Sequence, residues 1–294
     1  MRMKYISRIQ ANLSKCNTIY TRKVTNRILD GSYYSVYKGR SMNFDELREY
    51  VPGDDIKDMD WKASARSQKL LVKQYVAEKK HNILFVFDTN KRMLADTAIG
   101  CEKRDTGLMA AGTLAYLINR NGDFISSIFS DSVKIRRFPF KSGIENIENI
   151  LVECEHATAR ENETELNKAL EYICNNYRRN MIIVVVTDME GVNKISEIAL
   201  KKLLVMHDLL LINVSDADTF GSDVFDVTND RYLPDFFTKD KKLLRLESEK
   251  RRKVFDEGSA KLAKLGVSYV TVDEAKGADL KIMELLEKHK RERR

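Results

Sequence analysis

Two aspartates that follow strongly apolar runs are the residues of this sequence best placed to do chemistry. Asp88 ends "NILFVFD" and Asp188 ends "MIIVVVTD". Continuous apolar runs of this kind are typical of strands that are buried on both faces. In an open α/β sheet, ligands bind beyond the carboxyl ends of the strands. Both carboxylates are therefore expected at the ligand-binding edge, where they could hold a metal ion or face a phosphate.

A third candidate for the same edge is Thr164, which stands just before the predicted helical segment "ELNKAL". An N-cap role accounts for a threonine at such a position without any ligand. Its expected position at the same edge as Asp88 and Asp188 nevertheless makes Thr164 a candidate ligand-binding residue.

The residues that follow Asp88 limit what this edge can bind. Asn90 offers an amide oxygen, but the Arg92 guanidinium has only donors and cannot ligate a metal. A unit charge about 4 Å from a like charge costs on the order of 4 kcal/mol at an effective dielectric near 20, and a dication roughly doubles that cost. We therefore expect metal binding to be lost or weak, with at most a weak Mg²⁺ site at Asp88, Thr164 and Asp188 and no other cofactor. The guanidinium can instead pair with Asp88 or Asp188 and take the place of the cation.

The elements that must position these residues alternate between strand and helix from His81 onward. Besides the two runs that end in aspartate, strands are predicted in a hairpin around Ser130-Asp131-Ser132, at Leu209–Ser215 and at Val267–Val272. Helices are predicted at Thr106–Arg120, Ile144–Cys154, Glu165–Tyr177, Lys194–Met206, Thr238–Leu265 and Ala278–His289. This alternation predicts an α/β fold with a doubly wound, mostly parallel sheet.

The chain before His81 has a different pattern. Apolar residues at helical spacing predict an amphipathic helix at the N-terminus: Ile6, Ile9, Leu13, Cys16 and Tyr20. Residues 31–80 are rich in aromatic and charged side chains, with a turn at Pro52-Gly53 and a strand at Lys69–Val76. We therefore predict two domains, with the helix and a small β-containing subdomain in residues 1–80 and the α/β domain in residues 81–294.

Asp88, Thr164 with its following "ELNKAL", and Asp188 resemble the von Willebrand factor A (vWA) fold. Members of that family carry D-x-S-x-S, a distant Thr and a distant Asp, which together make a metal-ion-dependent adhesion site. The resemblance implies a Rossmann-like domain whose adhesion site is degenerate here, because Asn90 and Arg92 stand where the family has serines. It also implies a protein ligand with an acidic side chain, which Arg92 would meet in place of the metal.

The segment "FDELREYVPGDDIKDMDWKASARSQKLLVKQYVAEKK" (Phe44–Lys80) resembles a narrower family of uncharacterised bacterial vWA-like proteins, commonly encoded beside MoxR-type AAA+ ATPases. The matching positions are Leu47, Arg48, Tyr50, Gly53, Asp54, Asp55, Asp60, Trp61, Ala65 and Arg66. The resemblance implies a role beside such an ATPase in the assembly or remodelling of protein complexes.

These signature residues also allow a plainer interpretation, which we prefer to a catalytic one. Asp54, Asp55, Asp60 and Arg66 would form an ion-paired network that holds the subdomain onto the sheet. Trp61, the only tryptophan in the chain, would be the apolar anchor of that subdomain.

The sequence contains no arrangement of residues that is typical of catalysis. There is no G-x-x-x-x-G-K-[ST] loop for a nucleotide, and the four histidines have no spacing that suggests a metal pair or a triad. We therefore predict a protein that is not an enzyme. The alternative is a phosphatase-like enzyme of the haloacid dehalogenase type that uses Asp88. Those enzymes use D-x-D, and Asn90 cannot act as the general acid.

Composition and charge argue against several other classes of protein. The four cysteines include no C-x-x-C pair, which argues against a zinc site and fits a reducing cytosol. No apolar stretch approaches the roughly 18 residues of a membrane span, and the polar N-terminus does not resemble a signal peptide, so we expect a cytoplasmic protein. The net charge of +7 permits acidic partners, but the basic C-terminal region lacks the aromatic residues of a nucleic-acid-binding surface. Partner identity and oligomeric state stay open.

Overall fold

The computed structural model describes residues 3–13, 42–77, 80–120, 122–131, 133–164, 166–217, 225–227, 229–232 and 240–292. The contacts of the chain divide it into two compact units. The smaller unit is Tyr33–Lys80, and the larger unit combines Met1–Ser32 with His81–Arg294.

The strands and helices follow one another much as the apolar patterns predict. The strands are β1 (Met42–Glu49), β2 (Leu71–Ala77), β3 (Asn82–Phe87), β4 (Phe124–Ser130), β5 (Ile135–Arg137), β6 (Ile182–Thr187), β7 (Asp208–Val214), β8 (Phe225–Asp226), β9 (Arg231–Tyr232) and β10 (Ser268–Val272). The helices are α1 (Lys4–Leu13), α2 (Trp61–Ser67), α3 (Lys103–Asn119), α4 (Ile144–Ala157), α5 (Leu166–Asn176), α6 (Met189–Lys194), α7 (Glu197–Met206), α8 (Lys241–Lys264) and α9 (Ala278–Glu292). Short 3₁₀ turns lie at Ile56–Asp58 and Lys91–Leu94.

The larger unit is built on a sheet with the strand order β10-β7-β6-β3-β4-β5. Neighbouring strands are parallel except for β5, which pairs antiparallel with β4 at one edge. The chain first builds the sheet outward from β3 to β4 and β5, and then returns to the other side of β3 to add β6, β7 and β10. This is a doubly wound arrangement. The predicted α/β fold class is therefore confirmed. The order reverses between β3 and β6, the two strands that Asp88 and Asp188 directly follow.

Helices cover both faces of this sheet. One face carries α3 with α4 and α9, and the other carries α5, α7 and α8. Gly107 of α3 lies so close to the sheet that an added Cβ would be 3.1 Å from Val186 and 3.2 Å from Val214. On the opposite face, Val185 belongs to a core cluster that also includes Leu170 of α5. Since both faces are covered, the central strands are fully buried, which explains why they are continuous apolar runs.

The N-terminal helix α1 belongs to the larger unit. Its apolar residues Tyr5, Ile6, Ile9 and Leu13 are buried, and the helix packs on α3 and α4. The buried Glu148 carboxylate accepts hydrogen bonds from the backbone N–H groups of Tyr5 at 3.0 Å and Ile6 at 2.8 Å. The helix was predicted to belong with the signature subdomain in residues 1–80, whereas its contacts place it in the larger unit, because the apolar face of α1 is buried against the α/β body. The predicted helix residues Cys16 and Tyr20 lie outside the described residues.

The smaller unit contains an antiparallel hairpin of β1 and β2, with partners from Met42 and Ala77 to Glu49 and Leu71. A bulge shifts the register between Phe44 and Glu46. The helix α2 and the 3₁₀ turn at Ile56–Asp58 lie between the two strands in the sequence.

In the described parts of both units, no helix has the length and apolar character needed to cross a bilayer.

Candidate functional site

Asp88 and Asp188 lie side by side because β3 and β6 are neighbours in the sheet. Val86 of β3 is paired with Val185 of β6, and the backbone N–H of Asp88 donates to the carbonyl of Val186 at 2.9 Å. The connections that leave these two strands lead to opposite sides of the sheet, so the aspartates occupy the switch point where such folds bind ligands. The sequence correctly predicts that they share one edge.

Asp88 is a buried carboxylate with several donors. The Arg92 guanidinium donates to it through Nη2 at 3.0 Å, and the Thr187 hydroxyl donates at 2.7 Å. The backbone N–H of Asn90 donates to the other carboxylate oxygen at 3.0 Å. The side chains of Asp88 and Arg92 are only 1% and 6% exposed. The guanidinium thus supplies the positive charge that this carboxylate needs.

Asp188 serves at once as a helix cap and as an ion-pair partner. It caps α6, where its Oδ1 accepts from the backbone N–H of Gly191 at 2.7 Å. Its Oδ2 lies 3.0 Å from Nζ of Lys103 and 3.7 Å from Nε of Arg92. Lys103, which is also buried, makes a second ion pair with Asp216, whose side chain is 42% exposed. Two cations therefore connect three carboxylates at this edge of the sheet.

Gly191 allows the close packing of this charged cluster. A Cβ added there would overlap the Thr187 hydroxyl and lie 2.9 Å from Oδ2 of Asp88 and 3.1 Å from Nη2 of Arg92. Gly191 also lines the recess beside Asp88 and Arg92. The side chains of Asp88 and Arg92 are almost completely buried there, so an unpaired charge would be costly.

Burial and charge act in opposite directions on the protonation of these groups. Burial raises the pKa of the Asp88 carboxyl, and Arg92 only partly opposes that rise. Burial also tends to raise the pKa of Asp188, but Lys103 and Arg92 outweigh it and hold that pKa at about 2. Burial tends to lower the pKa of Lys103, but Asp188 and Asp216 outweigh it and raise the pKa above its usual range. Asp188 and Lys103 are therefore both charged at neutral pH.

Asn90 and Thr164 join two loops at the same edge. The Asn90 side-chain amide donates to the carbonyl of Thr164 at 3.4 Å, and its oxygen accepts from the backbone N–H of Arg92 at 3.1 Å. The Thr164 hydroxyl donates to the carbonyl of Asp131 at 3.2 Å. The structure therefore brings all five predicted site residues to one edge. The polar groups of Asn90 and Thr164 are engaged in loop contacts.

This arrangement does not fit a divalent metal. In the described ranges, no group of three or more His, Cys, Asp and Glu side chains is placed to hold a metal ion. The Arg92 guanidinium lies between Asp88 and Asp188, the two carboxylates that would ligate one. A dication there would face both this guanidinium and Lys103, and their repulsion would oppose its binding.

Lys103 and Asp216 are members of the cluster that the sequence analysis did not identify. Lys103 lies in the first turn of α3, where a cation is disfavoured by the helix dipole. Because the predicted helix begins only at Thr106, Lys103 lies outside it, and its position in the sequence is no signal of an internal ion pair. Asp216 follows β7 by two residues, so a search of all strand ends for acidic residues would have found it.

The acidic signature residues of the smaller unit stabilise its local turns. Asp54 accepts two hydrogen bonds from the Arg48 guanidinium, at 2.6 and 2.8 Å. Asp55 caps the 3₁₀ turn at Ile56–Asp58. Asp60 caps α2 and lies 3.6 Å from Nζ of Lys73. Gly53 has a φ of +111°, which favours glycine in the turn before these acids.

Two parts of the predicted signature network are wrong. Trp61 is 62% exposed and is therefore not an apolar anchor within the described structure. Arg66 is also exposed and forms no ion pair with any described residue. Both lie on the outward face of α2, whereas the buried residue of this helix is Ser64. The ion pairs of the signature acids are made with Arg48 and Lys73 instead.

Comparison with known proteins relates this chain to proteins of unknown function. A family model described as "Protein of unknown function DUF58" matches residues 46–222, more than half of the chain. Uncharacterized proteins of Mycobacterium bovis and Mycobacterium tuberculosis are 26% identical to it over 204 residues. The alignment covers 68% of this chain, and the chain spans 63% of the length of each of these relatives.

Solved structures with a similar arrangement of elements are distant in sequence. A conserved hypothetical protein, BatB from Bacteroides thetaiotaomicron, has a TM-score of 0.45 and 16% identity, and the match covers 71% of this chain and 98% of that one. A von Willebrand factor type A protein from Catenulispora acidiphila has a TM-score of 0.38 and 10% identity, with 74% and 44% covered. These scores are too low to carry an argument, so the fold is assigned from the strand order itself.

Proposed function

The chain belongs to the DUF58 family of proteins of unknown function, and from this premise we propose that it is a non-catalytic, vWA-like protein-interaction module. Its interaction surface is the strand-end edge around Asp88 and Asp188, and its adhesion site is degenerate. The signature segment supports a MoxR-type AAA+ ATPase as its partner in the assembly or remodelling of protein complexes.

The observation that carries this proposal is the position of the Arg92 guanidinium. It lies 3.0 Å from Asp88 and 3.7 Å from Asp188, the two carboxylates that correspond to the metal-binding aspartates of the vWA resemblance. Because the chain itself supplies a cation in that place, the edge can keep its architecture without a metal ion. A function that depends on surface recognition is compatible with such an edge, whereas metal-assisted chemistry is not.

Partner binding at this edge involves charges that are more accessible than Arg92. Lys91 and Glu163 form an ion pair at 2.5 Å beside the buried cluster, and the side chain of Glu163 is 71% exposed. Arg92 is only 6% exposed, so an acidic partner side chain would have to displace Asp88 before it could bind the guanidinium. The direct contact implied by the vWA resemblance therefore requires a rearrangement of this cluster.

The proposal is tested by calorimetric titration of the purified protein with the MoxR-type ATPase encoded nearest to its gene. Lys91→Glu and Glu163→Lys each reverse a charge at the edge that is not part of the buried cluster. We expect each to weaken binding by at least about tenfold, as at other interface hot spots. Lys201→Glu, which changes an exposed cation on α7, is the matched control. No binding by the parent protein, or equal losses in the edge variants and the control, would refute the proposed role of the edge.

The alternative function, a phosphatase-like enzyme that uses Asp88, has less support. A nucleophilic carboxylate must be accessible to its substrate, but the side chain of Asp88 is 1% exposed and hydrogen-bonded to Arg92. The neighbouring Asn90 has no carboxyl group that could donate a proton to a leaving group. These features support the assignment of the edge to recognition.

A further inference from the structure

The smaller unit exposes large apolar side chains at one end of its hairpin. Trp61, Val51 and Leu70 are 62%, 57% and 52% exposed. The backbone N–H of Tyr50 donates to the carbonyl of Leu70, and that of Asp60 donates to the carbonyl of Leu71, both at 2.9 Å. These two bonds place the residues just before Val51 and Trp61 beside the start of β2. The three exposed apolar residues therefore lie at the same end of the hairpin, and we call them the apolar patch.

Two exposed cations lie on the same helix as Trp61. Lys62 and Arg66 are exposed, and neither forms an ion pair with a described residue. The helix α2, "WKASARS", contains no acidic residue. Trp61 and Ala65, like Lys62 and Arg66, are spaced four residues apart, so these four residues share the outward face of the helix.

Other cations of the same unit do have internal partners. Arg48 pairs with Asp54 at 2.6 Å, and Lys73 pairs with Asp60 at 3.6 Å. The acidic groups in these pairs are thus already engaged, whereas the cations beside Trp61 pair with none of the described acids. The patch therefore combines exposed apolar area with a local positive charge.

We propose that the outward face of α2, with Val51 and Leu70 beside it, is a docking surface for an acidic segment of a partner protein that also presents apolar side chains. Trp61 would supply apolar contact area, and Lys62 and Arg66 would pair with carboxylates of that segment. Tryptophan and arginine are among the residue types most often responsible for binding energy at protein interfaces. This surface goes beyond the strand-end edge and belongs to the other unit of the chain.

An acidic protein segment fits this surface better than a nucleic acid does. Residues 42–77 contain six Lys or Arg and seven Asp or Glu, so the described part of this unit is not basic. Nucleic-acid-binding domains usually combine a strongly basic body with their aromatic residues. Lys62 and Arg66, which pair with no described acid, lie on the same face of α2 as Trp61, and this arrangement matches a short acidic segment.

Trp61 is the only tryptophan in the chain, so its fluorescence reports on this surface alone. In the free protein, the ratio of iodide quenching to caesium quenching of Trp61 should exceed the ratio measured for N-acetyltryptophanamide, because the neighbouring cations attract the anion. The double variant Lys62→Glu with Arg66→Glu should lower this ratio below that of the same reference. Both side chains are exposed, so the variant should keep the fold of the parent, which circular dichroism checks. Weak quenching of Trp61 by both ions in the parent protein would show that the face is covered and would overturn the proposal.

Binding is then tested by titration with a synthetic peptide of alternating Glu and Leu. We expect a saturable shift of Trp61 emission to shorter wavelength and at least about a tenfold weaker response in the Lys62→Glu and Arg66→Glu double variant. Lys242→Glu, an exposed change on α8, and Glu163→Lys at the strand-end edge should leave the titration unchanged. The Glu163→Lys result separates a failure of this surface from a failure of the proposed function.

Three other results of these titrations would overturn the proposal. An equal shift with a peptide of alternating Lys and Leu would show that the surface does not select acidic ligands. A larger shift with a DNA or RNA oligonucleotide would assign the surface to nucleic acid. A shift that depends only on protein concentration and accompanies dimer formation would assign it to a second copy of the chain.

Discussion

The Arg92 guanidinium donates to the Asp88 carboxylate across 3.0 Å, and both side chains are almost completely buried. The two residues are four positions apart, but they are not exposed on a helix surface as such pairs usually are. They lie at the switch point of a doubly wound sheet, where the fold would otherwise place a ligand. This ion pair places a cation of the protein where the vWA resemblance predicts a metal.

Removing the cation of this pair should destabilise the protein strongly. We expect Arg92→Met to lower the free energy of unfolding by about 3–5 kcal/mol, because it leaves Asp88 buried without its partner. The double variant Asp88→Asn with Arg92→Met should lose less than the sum of the two single variants, by about 1 kcal/mol or more. Urea unfolding of all four proteins measures this difference.

An exposed pair with the same spacing is the matched control for that experiment. Glu190 and Lys194 are also four residues apart, with a 2.9 Å ion pair and side chains that are 47% and 41% exposed. Their interaction should contribute less than about 1 kcal/mol in the same cycle. An interaction between Asp88 and Arg92 no larger than that of this control would contradict the structural role assigned to the buried pair.

Stability should depend on pH through Asp188. Its folded-state pKa of about 2 lies below the ordinary value of 3.8, so its contribution is fully present above that ordinary value and is lost as the pH falls toward 2. The loss should be on the order of 2 kcal/mol. In Asp188→Asn this part of the acid dependence should disappear. The difference in the free energy of unfolding between parent and variant should therefore shrink as the pH falls from the ordinary pKa toward the folded-state pKa.

Urea unfolding at several pH values between 4 and 2 measures this difference, an interval set by the two pKa values. Val192→Ala is the control, since it removes buried apolar contacts of α6 without removing a titrating group. Its stability difference from the parent should stay constant over the interval. A constant difference for Asp188→Asn as well would show that Asp188 is not stabilised by its ion pairs.

The purified protein should hydrolyse neither ATP nor model phosphoesters above the background rate. Asp88 is buried and ion-paired, and the sequence has no phosphate-binding loop. The measurement is the release of inorganic phosphate by the parent and by Asp88→Asn across successive purification fractions. Turnover that follows the protein through purification and disappears in Asp88→Asn would establish the phosphatase-like alternative.

The apolar patterns predicted the sheet and its edge well, for a physical reason. Strands buried on both faces, such as Asn82–Phe87 and Ile182–Thr187, must be continuously apolar, and their first charged residue then marks the carboxyl end. Asp88 and Asp188 were placed correctly on this basis. The helix predicted at Lys194–Met206 begins later than expected. In the structure Lys194 is the last residue of α6, and α7 begins at Glu197. The Lys261 ammonium donates to carbonyls at the end of α6, including that of Val192 at 2.9 Å, and no local pattern reveals such a distant contact.

The side-chain contacts were harder to predict, because they depend on tertiary packing. Lys103 reaches Asp188 from a different helix, 85 residues away in the sequence, and nothing in its neighbourhood distinguishes it from a solvated lysine. Trp61 was expected in the interior because tryptophan is strongly apolar. It follows the N-cap Asp60 directly, and it lies on the outward face of α2.

The response of the protein to Mg²⁺ distinguishes an edge held together by Arg92 from an edge that binds a metal. The measurement is the melting temperature of the parent and of the double variant Asn90→Ser with Arg92→Ser, each over a range of Mg²⁺ concentrations. The variant restores D-x-S-x-S and removes the guanidinium, and the serine that replaces Asn90 can still cap the turn at Lys91–Leu94. Binding to the folded state alone raises stability by RT ln(1 + [L]/Kd).

We expect no saturable Mg²⁺ response in the parent protein and a saturable rise of the melting temperature in the variant. The variant should be less stable than the parent without metal, because Asp88 loses its partner, so each protein is compared only with itself at different Mg²⁺ concentrations. A saturable rise in the parent protein would show that the edge binds a metal despite Arg92 and would refute the replacement of the metal by the guanidinium.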